Sequence, residues 1–146
     1  MPSLYSRGIS GAKANQILMT RGNILLVDDD PGFLIALTKT LTKHGYAVTT
    51  AAEAAGVVEE MSGRKQKFDI VITDLSMPKI SGLTVLSAVK GAFPSVEVVV
   101  ITAFGDQETE EKAMRQGAFA FVHKPLDPEA FLSLVDSAIK GQKPHI

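Results

Sequence analysis

The sequence has no cysteine among its 146 residues. Disulfides, thiolate metal sites and cysteine nucleophiles are therefore excluded. Long hydrophobic runs are also missing, because the stretch from Val96 to Phe104 is interrupted by Glu97 and Thr102 and falls well short of the roughly 20 apolar residues that span a bilayer. The first 22 residues lack the apolar segment of a signal peptide. We expect a cytoplasmic protein without a membrane partner.

Clusters of basic residues are missing as well. The formal net charge is -1, but residues 1–22 contain three basic side chains and no acid, so residues 23–146 hold 12 basic and 16 acidic side chains. Binding to nucleic-acid phosphates requires clustered lysine and arginine. The acidic body therefore predicts no direct nucleic-acid binding by this chain.

What the sequence does contain is the composition and pattern of one globular domain. Hydrophobic residues make up 45% and charged residues 21%, which is close to the average for globular proteins. Short β-branched runs alternate with segments whose apolar residues have helical spacing; the runs cover residues 24–27, 47–49, 70–73, 96–102 and 118–122. This alternation predicts an α/β fold, a doubly wound (βα)5 three-layer sandwich around a parallel sheet. The short, polar run at 47–49 is typical of an edge strand.

Turn and cap residues mark the ends of the predicted helices. Asp-Pro pairs place a capping carboxylate before proline at the first helical position, and glycines that follow a helical segment favour left-handed C-caps. The pairs are Asp30-Pro31 and Asp127-Pro128, and the glycines are Gly45, Gly63, Gly91 and Gly117.

The pattern of apolar residues also divides the chain into three parts. We predict a flexible N-terminal extension over residues 1–22, one domain over residues 23–140 and a short C-terminal tail over residues 141–146. Met19 stands just before the first strand and is a candidate alternative start. We expect no output domain on this chain.

Polar residues collect directly after several of the predicted strands. Asp28 and Asp29 follow the first, Asp74 ends the third, Thr102 ends the fourth and Lys124 follows the fifth. In a doubly wound sheet these positions meet at one edge, where ligands bind. Two carboxylates about 5 Å apart repel by roughly 3 kcal/mol at an effective dielectric near 20, so the cluster requires a cation. Mg²⁺ prefers oxygen ligands, and an aspartate left free can attack a phosphoryl donor.

Four motifs in this order resemble the receiver domain of bacterial two-component response regulators. They are ILLVDDD at 24–30, VITDLSMP at 71–78, VITA at 100–103 and FVHKP at 121–125. Together they cover the predicted domain. The resemblance implies a flavodoxin-like fold with a parallel sheet of strand order 2-1-3-4-5.

The resemblance also implies roles for the acidic residues. Asp74 corresponds to the phosphoryl-accepting aspartate and is expected to contact the metal. Asp28 and Asp29 correspond to the acidic pair that holds Mg²⁺, with Asp29 the more direct ligand. The backbone carbonyl of Ser76 corresponds to a further metal ligand. Asp30, with Pro31 behind it, is interpreted as a helix cap.

The resemblance implies roles for three further positions, of which Thr102 and Phe121 are switch residues and Lys124 belongs with Asp74 and Thr102 to the catalytic set. Thr102 matches the hydroxyl that moves toward the phosphoryl group, and Lys124 matches the lysine that pairs with it. Phe121 matches the aromatic switch position, although an ordinary core role fits it equally well. The Lys124–Pro125 bond is expected to be cis, which costs little for an X-Pro amide.

The leading hypothesis is a signalling switch rather than an enzyme. A sensor histidine kinase or phosphotransfer protein would phosphorylate Asp74. The new charge would change the surface formed by the fourth helix, fifth strand and fifth helix, which would bind an effector protein or a second copy of the chain. One alternative is a haloacid-dehalogenase-type phosphatase, because the run at 28–30 contains Asp-x-Asp after a strand; that reading leaves Asp74 without a role. Another alternative is a receiver-like binding module that is never phosphorylated.

Overall fold

The computed structural model describes residues 20–63, 67–77 and 80–141. Within them, strands and helices alternate along the chain. The strands are β1 (Asn23–Val27), β2 (Ala47–Ala51), β3 (Ile70–Asp74), β4 (Glu97–Thr102) and β5 (Ala120–His123). The helices are α1 (Pro31–Lys43), α2 (Val57–Ser62), α3 (Gly82–Ala92), α4 (Gln107–Arg115) and α5 (Pro128–Ile139).

The strands form one parallel sheet in the order β2-β1-β3-β4-β5. This confirms the predicted fold class, strand order and edge position of β2. The fifth strand is shifted relative to the prediction, because it begins at Ala120 rather than Ala118 and includes His123. The three central strands are buried along almost their whole length, as expected for a sheet covered on both faces.

Alternate side chains of each central strand enter two separate cores. One core lies beneath α2, α3 and α4 and contains Leu25, Val71 and Val98. The other lies beneath α1 and α5 and contains Ile24, Ile70 and Val99. Successive strand residues point to opposite faces of a sheet, so the continuous apolar runs supply both cores. The result is the predicted three-layer sandwich.

The helix caps follow the prediction at some ends and depart from it at others. Asp30 accepts a hydrogen bond from the backbone N–H of Gly32 at 3.0 Å, and Gly45 and Gly117 have positive φ angles of 94° and 99°. Gly63, in contrast, has a right-handed φ of -80°. Gly63 therefore does not have the left-handed conformation that favours glycine in a C-cap.

One further cap prediction was wrong, and another is confirmed in its position only. Gly91 lies inside α3 rather than after it, because the helix continues to Ala92 and ends at Phe93. Asp127 occupies the N-cap position of α5, but its side chain makes no capping hydrogen bond. Pro128 fills the first helical position and has no N–H to satisfy.

The residues just before β1 are packed against the domain. Thr20 and Arg21 hydrogen-bond to the backbone oxygen of Gly45, and the Arg21 guanidinium lies 5.0 Å from the centre of the Tyr46 ring. Residues 20–22, which the sequence analysis assigned to the extension, are therefore part of the packed unit. The rest of the predicted extension, including Met19, and residues 142–146 of the predicted tail lie outside the described residues.

Candidate acidic site at the carboxyl edge of the sheet

Strand register assembles the site. Val27 pairs with Thr73, so the residues that follow them, Asp28 and Asp74, lie side by side at the ends of β1 and β3. On the other side of β3, Asp74 pairs with Ile101. The residue after β5, Lys124, is held beside the end of β4, because its backbone N–H donates to the backbone oxygen of Thr102 at 2.8 Å. The sheet thus brings together the predicted residues of four separate strand ends.

Three carboxylates form the centre of the site. One oxygen atom from each of Asp28, Asp29 and Asp74 lies within 4.8 Å of the other two. Asp28 and Asp74 are buried, whereas Asp29 is exposed. Such a cluster combines strong mutual repulsion with an open side through which a cation can enter.

Both carboxylate oxygens of Asp28 have partners. Oδ1 accepts from the backbone N–H of Asp30 at 2.9 Å, and Oδ2 accepts from the Lys124 ammonium at 3.0 Å. Hydrogen bonds to a charged group are stronger than neutral ones, so Asp28 is held firmly in place. The first of these bonds also fixes the start of α1, because Asp30 caps that helix.

Lys124 lies between the acids and an aromatic ring. Its Nζ is 3.0 Å from Asp28 Oδ2, 3.8 Å from Asp74 Oδ1 and 4.0 Å from the centre of the Phe33 ring. One ammonium thus faces three carboxylates, and negative charge remains in excess. The Lys124–Pro125 bond is cis, as expected.

The excess charge affects the protonation of Asp74. Burial raises the pKa of the Asp74 carboxyl above its ordinary value, and the neighbouring charges of Asp28 and Asp29 raise that pKa further. Lys124 and a hydrogen bond from the backbone of Ser76 act in the opposite direction. The net effect is that the ionised form of Asp74 is disfavoured in the metal-free protein.

The donor set fits Mg²⁺. The ion prefers carboxylate oxygens and usually keeps several water molecules, and this cluster offers hard oxygen donors with unbalanced negative charge and an exposed side. Asp29 and Asp74 have the greatest freedom to bind directly, because both oxygens of Asp28 already have partners. The ligand role of the Ser76 carbonyl stays a prediction, and Ser76 itself is exposed.

The Thr102 hydroxyl is turned toward its own loop. Oγ1 donates to the backbone oxygen of Phe104 at 2.8 Å and accepts from the backbone N–H of the same residue at 3.0 Å. Thr102 itself is buried, whereas Phe104 is 82% exposed. In this conformation the hydroxyl holds the turn after β4 closed, so it would have to exchange these bonds in order to reach a group on Asp74.

Phe121 is half-buried and packs beside that turn. A Cβ atom added to Gly105 would lie 2.7 Å from the Phe121 ring and 2.8 Å from the methyl group of Thr102. The ring also makes an edge contact with His123, at 5.5 Å between centres, and contacts the core beneath α4. Phe121 therefore packs on the core and also borders the Thr102 loop, and its role as a switch residue stays a prediction.

Sequence reasoning missed three residues of the site. The sequence motifs assign no role at the site to Phe33, Gly82 or Gly105. A Cβ atom on Gly82 would lie 2.3 Å from the backbone oxygen of Asp74, so only glycine permits this approach of α3 to Asp74. These contacts depend on how the loops and helices pack at the end of the sheet, and no local sequence pattern indicates them.

The chain belongs to the family of response regulator receiver domains, whose pattern it matches over residues 24–136. This assignment agrees with the resemblance of the four motifs, and receiver domains act as signalling switches. The acidic cluster and Lys124 stand at the edge of the sheet where the strand order reverses, which is the ligand-binding position of such folds.

Two relatives and two solved structures illustrate the similarity. The chain is 35% identical over 122 residues to the transcriptional regulatory protein GlrR of Escherichia coli strain K12, covering 84% of this chain and 27% of that protein. It is 33% identical to the DNA-binding transcriptional regulator NtrC of the same strain, covering 83% of this chain and 25% of that protein. The chain thus spans about a quarter of the length of these relatives.

The structural neighbours are receiver domains of similar size. A response regulator receiver domain protein from Clostridium thermocellum superimposes with a TM-score of 0.77 and 30% identity, covering 82% of this chain and 95% of that one. The receiver domain of an HD domain-containing protein from Pseudomonas fluorescens Pf-5 superimposes with a TM-score of 0.77 and 27% identity, covering 84% of this chain and 97% of that one.

In the part of the chain that the structure describes, no helix has the length and apolar character needed to cross a membrane.

Proposed function

We propose that this chain accepts a phosphoryl group on Asp74 from a histidine kinase or phosphotransfer protein, in a reaction that requires Mg²⁺. The observation that carries the proposal is the arrangement around Asp74: two further carboxylates within 4.8 Å and the Lys124 ammonium at 3.8 Å. The cluster has donors for a metal, a nucleophile and a cation for the transferred group. This is the complement that phosphoryl transfer requires.

The transfer forms one bond and breaks another. A carboxylate oxygen of Asp74 attacks the phosphorus atom of the donor phosphohistidine, the P–N bond breaks, and the leaving imidazole takes a proton from water. Lys124 can pair with the oxygens of the transferred phosphoryl group, because its ammonium already lies near Asp74. When bound, Mg²⁺ offsets the charge of the carboxylates and of the phosphoryl oxygens.

Phosphorylation then changes the loop after β4. A phosphoryl group on Asp74 offers new acceptors to Thr102, whose hydroxyl must leave the backbone of Phe104 to reach them. The turn containing Gly105 is then released, and the space beside Phe121 changes. The surface formed by α4, β5 and α5 is altered, and an effector protein or a second copy of the chain would recognise that surface.

Labelling by acetyl phosphate tests the acceptor. We expect the wild-type protein to gain the mass of one phosphoryl group when acetyl phosphate and Mg²⁺ are present, and Asp74→Asn to gain none. Asp69→Asn is a matched control, because Asp69 lies at the opposite edge of the sheet and accepts from the Asn23 N–H at 2.8 Å. Equal labelling of Asp74→Asn and wild type would show that the acceptor is wrongly assigned.

The partner is tested by transfer from purified kinases. Profiling against the full set of histidine kinases of the organism should give one fast donor, and transfer from that donor should be lost in Asp74→Asn. Steady hydrolysis of a phosphomonoester would instead support a phosphatase. Signalling that persists unchanged in Asp74→Asn would support a module that acts without phosphorylation.

A further inference from the structure

The start of α1 and the end of β5 are joined by a closed ring of contacts. Asp28 accepts from the N–H of Asp30 through Oδ1, and Asp30 caps α1. One turn into that helix, the Phe33 ring lies over the Lys124 ammonium at 4.0 Å. Lys124 closes the ring by donating to Asp28 Oδ2 at 3.0 Å. The carboxylate that anchors Lys124 therefore also fixes the helix that carries the aromatic ring.

We propose that Phe33 is a positioning residue for phosphoryl transfer, and that it acts by holding the Lys124 ammonium over the acidic cluster through a cation–π contact. The inference rests on the proposed function of Asp74. It adds to that function a residue with no polar atom, which neither contacts the phosphoryl group nor binds the metal.

An aromatic ring suits this position for a physical reason. The face of the ring attracts a cation, but it forms no strong hydrogen bond and cannot neutralise the charge as a carboxylate would. Lys124 is only 19% exposed in its side chain, so the ring replaces water on one side of the ammonium. The ring thus holds the ammonium without a strong bond, and the ammonium remains free to move from Asp28 to the oxygens of a phosphoryl group on Asp74.

Phe33 also packs against the core beneath α1 and α5, and this structural role must be separated from the electrostatic one. The ring lines an apolar groove of about 510 Å³ beside Leu37, Leu126 and Phe131. Truncation to alanine would enlarge this groove and confuse the two effects. Phe33→Leu preserves most of the apolar volume and removes the ring, whereas Phe33→Tyr preserves the ring.

The first measurement is the NMR shift of the Lys124 Cε protons in the unphosphorylated, Mg²⁺-free protein. A ring at 4.0 Å from Nζ should shield these protons and move them upfield. The upfield shift should persist in Phe33→Tyr and disappear in Phe33→Leu. Ile35→Ala is the matched control, because Ile35 lies on the same turn of α1 but is 70% exposed. Unshifted Lys124 protons in the wild-type protein would overturn the inference.

The second measurement is the rate of labelling by acetyl phosphate with Mg²⁺. We expect Phe33→Leu to be labelled about three- to tenfold more slowly than wild type, and Phe33→Tyr and Ile35→Ala at nearly the wild-type rate. Site-specific replacement of Phe33 by phenylalanines with increasing ring fluorination should lower the rate stepwise, because fluorine weakens the negative face of the ring while changing its size little.

The outcomes separate this inference from the proposed function. Absence of labelling in the wild-type protein would overturn the proposed function, and with it the role of Phe33. Normal labelling of wild type together with equal labelling of Phe33→Leu would overturn the role of Phe33 alone. A rate that is insensitive to ring fluorination would also overturn it, because packing would then be the whole contribution of the ring.

Discussion

Charged side chains are paired with opposite charges at the amino edge of the sheet, whereas negative charge is in excess at the carboxyl edge. At the amino edge, the Lys90 ammonium donates to the backbone oxygens of Pro94 and Val96 at 2.8 and 3.0 Å and lies 3.5 Å from Glu97. Arg21 pairs with Asp136 at 3.0 Å, and both side chains are partly exposed. These charges have opposite partners, so they are arranged for stability.

At the carboxyl edge, one ammonium faces three carboxylates, and two of the acids are buried. This edge therefore carries an excess of negative charge in the metal-free protein. The fold thus leaves like charges close together at the candidate site and pairs opposite charges at the other edge.

The largest effect on stability should come from removing Lys124. Lys124→Met leaves buried Asp28 without its cation, which should lower the free energy of unfolding by about 3 kcal/mol. The matched change at the amino edge is Lys90→Met, because the two lysine side chains are 19% and 22% exposed. Since Glu97 can be hydrated, we expect a loss of only about 1 kcal/mol there. Urea unfolding measures both, and equal losses would contradict the contrast between the edges.

A paired glycine experiment examines the packing at the two edges. In Gly82→Ala the added Cβ would collide with the backbone of Asp74 at 2.3 Å, so we expect a loss of about 2 to 3 kcal/mol. Gly91 is at the other end of α3 and has open space around it, so Gly91→Ala should stabilise the helix by up to about 1 kcal/mol. Thermal unfolding compares the variants, and a neutral Gly82→Ala would argue against the close approach of α3.

Removal of the Asp74 carboxylate should stabilise the metal-free protein. Asp74→Asn relieves repulsion with Asp28 and Asp29, and we expect a gain of about 1 to 2 kcal/mol at neutral pH without Mg²⁺. Added Mg²⁺ should stabilise the wild-type protein more than Asp74→Asn, since ligand binding to the native state adds to its stability. Unfolding with and without Mg²⁺ measures both effects, and identical responses to Mg²⁺ would contradict a metal site at Asp74.

The difference in stability between Asp74→Asn and wild type should also depend on pH. The pKa of Asp74 is raised in the folded protein, so the folded state binds a proton more readily than the unfolded state. The penalty for ionised Asp74 is present in full above the folded pKa and decreases as the pH falls toward the ordinary value. The greater stability of Asp74→Asn relative to wild type should therefore decrease on acidification. Urea unfolding at a series of pH values measures this difference, and a difference that does not change with pH would contradict the prediction.

The smallest effect is expected at Asp136, at the amino edge. Lys140 and Arg21 lower the pKa of Asp136, so its ionised form stabilises the protein above the ordinary pKa, and this stabilisation is lost as the pH falls through the folded pKa. Asp136→Asn should cost less than about 1 kcal/mol, because the pair is partly exposed. A loss at neutral pH that disappears in acid is expected, and high salt should reduce it.

Much of the fold follows from local sequence patterns. The buried strands are marked by continuous β-branched runs, and the edge strand β2 by its short polar run, because burial on both faces favours apolar residues along most of a strand. Errors occurred where a local cue had more than one outcome. Gly91 is an example, since glycine can stand inside a helix as well as after it, and only packing with the rest of the chain decides which.

The sequence by itself determined the alternation of strands and helices and the acids and lysine that follow the strands, since hydrophobic period and strand ends are local properties. Only the tertiary structure decided that Phe33 covers Lys124, that Gly82 touches the backbone of Asp74 and that Thr102 is bonded to Phe104 in this conformation. The first contact joins elements far apart in the chain, the second depends on how α3 is placed against the end of β3, and the third is one of several local bonds open to a hydroxyl. Their geometry depends on strand register and on the position of each helix over the sheet.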